Sequence, residues 1–105
     1  MKPEFGVYYA VYKNKKATDV VLTNFRKHFP DNPVVLISDG GDDFSDISEK
    51  FNCKYYYREN IFGLGNLDRD PYDSKRTIEW WDRQKLVCDE TGSDYIMIME
   101  DDVLV

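Results

Sequence analysis

The sequence has little of what disulfide, zinc and serine-hydrolase sites need. Its 105 residues include two cysteines, Cys53 and Cys88, and one histidine, His28. Two thiols cannot build a disulfide scaffold, and without a C-x-x-C pair or further histidines we do not expect a zinc site. We expect both thiols to be buried and reduced. There is no G-x-S-x-G motif, and His28 lies on the outer half of a predicted helix, which argues against Ser–His chemistry.

Glycine-rich nucleotide motifs are also missing. The sequence has no G-x-x-x-x-G-K-[ST], which excludes a P-loop. Gly63-Leu64-Gly65 begins like a G-x-G-x-x-G fingerprint, but Asp68 stands at the third glycine position. Because no helix is predicted to open directly from this segment either, we reject a dinucleotide fingerprint.

Long apolar runs and an excess of positive charge are absent as well. The first six residues lack the apolar core of a signal peptide, and no run approaches the ~20 residues of a membrane-spanning helix. We expect no membrane segment in this chain and a cytoplasmic location by default, although an excised lumenal domain would have the same features. The 14 Lys and Arg stand against 20 Asp and Glu, a net charge of −6. An anionic chain gains nothing from counterion release on DNA, so we expect no nucleic-acid partner.

What the sequence does have is a regular alternation of strand and helix periods. A chain of 105 residues can form one domain, residues 1–105, with one modest core. The resulting order, β-α-β-α-β-α-β, predicts an α/β fold, a Rossmann-like three-layer α/β/α domain with a mainly parallel sheet. A long polar loop is predicted over 60–73, a length typical of a binding element or a disordered segment. The predicted strands cover 5–12, 34–38, 53–57 and 95–99, and the predicted helices cover 18–29, 44–51 and 74–91.

The strongest functional feature is Glu100-Asp101-Asp102, directly after the apolar strand 95–99. Three adjacent carboxylates repel one another unless a positive group lies among them. Glu100 and Asp102 are two residues apart and point to the same side of an extended backbone. Hard oxygen ligands at this spacing suit Mg²⁺ or Mn²⁺, which can bridge a diphosphate. The alternative is a solvated acidic loop.

Two further segments end predicted strands at the same edge of the sheet. Asp39 follows the apolar run 34–37 and can accept a hydrogen bond from a uracil imide N–H or a ribose hydroxyl; alternatively it is an ordinary Asp-Gly turn residue. Ala10, Val11 and Tyr12 end the first strand. If that strand is adjacent to the fourth, a ligand crevice lies between them. Ala10 would let a planar base approach the backbone and Tyr12 could stack on it, whereas core or edge packing is the alternative for all three.

The third helix carries Trp80, Trp81 and Arg83. Arg83 is a candidate to pair with a phosphate or to reach a base, although a cation on a helix is more often a solvated surface group. The two tryptophans are predicted to pack rather than to serve as stacking platforms.

Taken together, this pattern resembles the N-terminal, donor-binding half of a glycosyltransferase of the GT-A fold. The resemblance covers nearly all 105 residues: strand, helix, strand ending in Asp39, helix, strand, helix, and a strand entering a DXD motif. That motif is similar to the form written as four apolar residues followed by Glu-Asp-Asp-Val, here Glu100-Asp101-Asp102-Val103 after 96–99.

The resemblance implies a role for each matching residue. Ala10, Val11 and Tyr12 would line the base of a nucleotide-sugar, and Asp39 would match the aspartate that contacts uracil. Arg83 matches loosely a basic or amide residue on the helix before the DXD strand.

The DXD motif itself would hold the metal. Asp102 would be the direct ligand of Mn²⁺ or Mg²⁺, with Glu100 as a second candidate ligand. Glu100 and Asp101 would contact ribose, sugar or metal-bound water. The metal would bridge the two phosphates of a UDP- or GDP-linked sugar and stabilise the leaving group as a Lewis acid.

The resemblance also implies what this chain lacks. GT-A enzymes place the acceptor site, any catalytic base and a further metal ligand after the DXD motif, where only Val103-Leu104-Val105 stand here. We therefore expect a fragment of a longer catalytic domain that does not transfer sugar by itself. The acceptor, whether glycan, protein or lipid, and the donor sugar are not predicted. The last strand would leave an exposed sheet edge through which chains could associate.

Two enzyme classes with a similar element order are disfavoured. Phospho-receiver domains and haloacid-dehalogenase-type phosphatases need acidic residues at the end of the first strand, where this chain has Ala10-Val11-Tyr12. The open alternative to a glycosyltransferase is a divalent-metal and nucleotide-binding α/β module without turnover.

Overall fold

A computed structural model describes residues 5–58 and 74–100, and these residues form a single parallel sheet with helices on both faces. The strand order is β3-β2-β1-β4, and every pair of neighbours is parallel. The α/β fold predicted from the alternating periods is therefore correct. Its elements are β1 (Gly6–Val11), α1 (Lys15–His28), β2 (Val34–Asp39), α2 (Ser45–Lys50), β3 (Lys54–Arg58), α3 (Ser74–Thr91) and β4 (Ile96–Met99).

Two apolar clusters fill the spaces between the sheet and the helices on its two faces. Alternate residues of β1 and β2 point to opposite faces of the sheet, as the period of a strand requires. Val7 and Tyr9 join Leu22 and Phe25 of α1 in the larger cluster, which also takes in Ile47 of α2. The opposite face is covered by α3.

The smaller cluster lies between the sheet and α3. It contains Tyr8, Val35 and Ile37 of the sheet and Val87 of α3. The helix α3 ends at the amino edge of the sheet, where Thr91 lies so close to Gly6 that a Cβ atom on Gly6 would come 2.5 Å from the Thr91 hydroxyl. Since α3 runs antiparallel to the strands it covers, its N-terminal half lies towards the carboxyl edge of the sheet.

The observed ends of α1 and α3 can be compared with the ends predicted from capping residues. Helix α1 begins at Lys15, three residues before the predicted cap Thr18, because the side chain of Asn14 accepts a hydrogen bond from the Ala17 amide at 3.1 Å. Helix α3 has the predicted bounds. Gly92 follows it with a φ of 67°, and its amide donates to the Cys88 carbonyl, as expected of a glycine at this position.

Three packing expectations were wrong. The strand β4 was predicted to be buried, but it is at one end of the described sheet, and Ile98 is half-exposed. Trp80 and Trp81 were predicted to pack, yet both are exposed and meet edge to face. Cys53 and Cys88 are free thiols as predicted, but they are only half-buried. The predicted loop 60–73 lies outside the described residues.

Candidate functional site

The carboxyl edge of the sheet contains a topological switch point. Chain connections leave the central strand β1 towards β2 on one side, while β4 pairs with β1 on the other side. Tyr9 is paired with Met99 in the parallel ladder, so Ala10 and Glu100 follow this last pair on adjacent strands. Open α/β sheets bind ligands in the crevice at such a point. The structure therefore meets the condition on which the sequence-based crevice depended, which was that the first and fourth strands are neighbours.

Asp39 is the last residue of β2 and lies one residue beyond the Val11–Ser38 pair of the ladder. It alternates with Val35 and Ile37, so it belongs to the face covered by α3. Its side chain is only 8% exposed. A carboxylate buried to this degree needs a compensating partner.

That partner is Arg83 of α3. The Arg83 Nη1 donates to Asp39 Oδ1 at 3.1 Å, and Arg83 Nε donates to Glu79 Oε1 at 2.9 Å. The Arg83 side chain is 2% exposed, which makes it the largest fully buried side chain of the described residues. The Arg83–Asp39 pair joins the middle of α3 to the end of β2, whereas the Arg83–Glu79 pair lies within α3. The structure thus brings together Asp39 and Arg83, two residues that were predicted separately as donor-site candidates.

Tyr8 of β1 completes this cluster. Burial raises the pKa of the Tyr8 hydroxyl above its ordinary value, and the charge of Arg83 and a hydrogen bond with it oppose that shift. Burial would lower the pKa of Arg83, but its hydrogen bond with Glu79 and the interactions with Tyr8 and Asp39 outweigh this, so the pKa lies above its ordinary value. Arg83 is therefore a permanently charged group inside the protein. We call Tyr8, Asp39, Glu79 and Arg83 the buried charge cluster.

The turn after Asp39 is fixed against the end of β1. Gly40 has a φ of 75°, a conformation that glycine adopts without strain. The next residue lies so close to β1 that a Cβ atom on Gly41 would be 1.8 Å from the Tyr12 carbonyl oxygen. The amide of Asp42 donates to that same oxygen at 2.7 Å. The glycine pair thus lets the ends of β1 and β2 stay in register with each other.

The residues predicted at the end of β1 differ in where they lie. Val11 is buried in the larger apolar cluster, the core position that was its alternative. Ala10 is half-buried beside the smaller cluster, on the same face as Asp39. Tyr12 is half-exposed, and the ammonium of Lys13 lies 5.3 Å from the centre of its ring.

The acidic motif is only partly described. Glu100 follows β4 directly and is exposed at the carboxyl edge, whereas Asp101 and Asp102 lie outside the described residues. Within residues 5–58 and 74–100, no three His, Cys, Asp or Glu side chains form a group that could hold a metal ion. Because two of the three predicted acidic residues are not described, the metal site stays a prediction.

Sequence reasoning missed Glu79 and Tyr8 as members of the cluster. The pair Glu79 and Arg83 has the i, i+4 spacing of a helical ion pair, a signal that was available. Tyr8 was interpreted as an ordinary strand residue, and its neighbours in the sequence do not indicate that it contacts an arginine.

Comparisons of the chain with protein-family models, curated proteins and solved structures find no match. The resemblance to GT-A enzymes therefore stays a prediction from the residues and from the order of the elements along the chain. None of the helices within the described ranges has the length and apolar character needed to cross a membrane.

Proposed function

We propose that this chain is the donor-binding region of a glycosyltransferase that takes its sugar from a UDP- or GDP-linked donor with the help of a divalent cation. The observation that supports this most is the position of Asp39 and Glu100. Asp39 is the last residue of β2 and Glu100 directly follows β4, so both lie at the carboxyl edge, on the strands either side of β1. Asp39 as the proposed base contact and Glu100 as the start of the proposed metal-binding motif could then serve one ligand at this edge.

The donor set fits a hard cation. Asp102 and Glu100 would hold Mn²⁺ or Mg²⁺ through carboxylate oxygens, the ligands that these ions take in proteins. When bound, such an ion neutralises charge on the diphosphate leaving group. The chain has a net charge of −6, and Arg83, the cation of the buried charge cluster, is already engaged in ion pairs. A metal ion therefore gives this edge a way to attract an anionic ligand.

The test is calorimetry with UDP and GDP, each with and without Mn²⁺. We expect nucleotide binding only when Mn²⁺ is present, and an increase in thermal stability on adding Mn²⁺. Asp102→Ala should abolish both effects. The matched control is Asp89→Ala, which removes an exposed carboxylate from α3 near the amino edge of the sheet.

Three results would contradict the proposal. Without any Mn²⁺-dependent nucleotide binding, the donor-site assignment is wrong. If Asp102→Ala keeps the wild-type affinity for Mn²⁺, the metal site lies elsewhere. If nucleotide binds as expected but the full-length protein transfers no sugar to any acceptor tested, the chain belongs to a metal- and nucleotide-binding module instead.

A further inference from the structure

At the proposed donor site, Arg83 would either contact the phosphates of the ligand or act through another residue. Its surroundings distinguish these two roles. A cation that contacts phosphate must present its guanidinium to the ligand. The Arg83 side chain is 2% exposed, its Nε is bonded to Glu79 and its Nη1 to Asp39. These contacts hold the guanidinium in the interior beside the end of β2.

We propose that Arg83 is a positioning residue that acts through Asp39 and so determines which class of nucleobase the site accepts. This rests on the proposed donor site. Glu79 orients the guanidinium from within α3, one helical turn earlier, and Arg83 in turn holds the carboxylate of Asp39 at the end of β2. A carboxylate paired in this way does not rotate away easily, because the low-polarity interior strengthens the pair.

A fixed carboxylate can only accept hydrogen bonds. The base that fits it must donate from a ring N–H, as uracil does at N3 and guanine at N1. Cytosine and adenine carry an unprotonated ring nitrogen at the corresponding position, and its lone pair would face the carboxylate. We therefore expect this cluster to select UDP over CDP, or GDP over ADP.

The experiment measures three affinities in the presence of Mn²⁺: the preferred nucleotide, its counterpart lacking the ring N–H, and inorganic pyrophosphate. In the wild type the preferred nucleotide should bind about tenfold to hundredfold more tightly than its counterpart, the ratio expected for one charged hydrogen bond. Arg83→Met should reduce this ratio to near one and leave the pyrophosphate affinity within about twofold, since the diphosphate contacts are not touched. Lys85→Met, an exposed cation on the same helix, is the matched control and should change neither quantity.

A double-mutant cycle asks whether Arg83 acts through Asp39. In an Asp39→Asn background, Arg83→Met should have no further effect on the ratio. Circular dichroism checks that each variant is folded. If Arg83→Met does not fold, Glu79→Gln takes its place, because it keeps the Asp39–Arg83 pair and removes only the charge that orients the guanidinium. It should reduce the same ratio by a smaller factor.

Each other outcome overturns the inference. A parallel loss of affinity for both nucleotides and pyrophosphate would show that Arg83 contacts the diphosphate. An unchanged ratio in a folded Arg83→Met or Glu79→Gln variant would show that the cluster only supports the fold, while the donor site itself would stand. The absence of any Mn²⁺-dependent nucleotide binding in the wild type would overturn the proposed function together with this inference.

Discussion

The buried charge cluster predicts a large and asymmetric effect on stability. Arg83→Met removes the only positive member of the cluster, and the Asp39 carboxylate, 8% exposed, loses its ion pair with the guanidinium. Breaking a buried ion pair by removing one side costs about 3–5 kcal/mol, because the remaining charge stays desolvated. Methionine fills much of the volume of the arginine stem and adapts to irregular gaps, so little of the cost comes from packing.

The size of the effect can be worked out from the exposures. The Glu79 side chain is 27% exposed and can turn towards water, so its loss of Arg83 adds little. Asp39 therefore accounts for most of the cost, and we expect at least about 3 kcal/mol. For a domain of this size, each 1 kcal/mol corresponds to about 4–8 °C in Tm, so the melting temperature should fall by about 12 °C or more.

Asp39→Asn should cost less than Arg83→Met. The guanidinium would still be bonded to Glu79 at 2.9 Å, and the amide oxygen of the new side chain could still accept from Nη1. Lys85→Met, which changes an exposed cation on the same helix, should stay within about 0.5 kcal/mol of the wild type.

The assay is urea unfolding followed by circular dichroism, with the midpoint and the slope compared among the variants. A loss below about 1 kcal/mol for Arg83→Met would match a solvent-exposed pair and refute the buried cluster. A larger loss for Asp39→Asn than for Arg83→Met would refute the assignment of the cost to the uncompensated carboxylate.

Two further variants test other parts of the structure. Gly41→Ala should lower both Tm and the affinity for the nucleotide, because its Cβ would lie 1.8 Å from the Tyr12 carbonyl oxygen and must displace the turn; Gly92→Ala, with open space around it, is the control in the nucleotide measurement. The pKa of Glu90 is lowered by hydrogen bonds from Lys54 and Tyr56, so its carboxylate stabilises the fold above the ordinary pKa and loses this effect as the pH falls. The Tm difference between the wild type and Glu90→Gln should be largest above about pH 5 and shrink below about pH 4; a constant difference would contradict this.

The order of the elements could be predicted because it depends on local periodicity. Val34 to Ile37 form an uninterrupted apolar run, and β2 is buried along its whole length. A similar apolar run at residues 96–99 was also predicted to be buried, yet β4 is at one end of the described sheet and Ile98 is half-exposed. The two runs look alike in the sequence, but in the described sheet β2 has a neighbouring strand on each side and β4 has one on a single side. Strand order in the sheet is a long-range property that such a run does not encode.

In the candidate site, too, the local features could be predicted from the sequence and the long-range contacts could not. Asp39 could be predicted, since an acidic residue at the end of a buried run is a local pattern. The burial of Arg83 could not, because its partner is 44 residues earlier in the chain and on a different element. Arginine on a helix is usually solvated, so composition and spacing favoured the surface. Only the packing of α3 across the end of β2 turns a surface-type residue into a buried one.

A buried ion pair needs an explanation beyond stability, because replacing both charges with apolar groups is often neutral or stabilising. The cluster either supports the fold alone or also selects the base, and these two interpretations predict different results for one double variant. Asp39→Leu combined with Arg83→Met should recover most of the stability that Arg83→Met alone loses, since no uncompensated carboxylate stays in the interior. If the pair serves only the fold, this variant should also bind the Mn²⁺–nucleotide complex like the wild type. If Asp39 accepts the ring N–H of a base, the variant should be stable and yet lose its preference between UDP and CDP. Stability and base selectivity then separate in a single protein, which neither charge replacement alone can achieve.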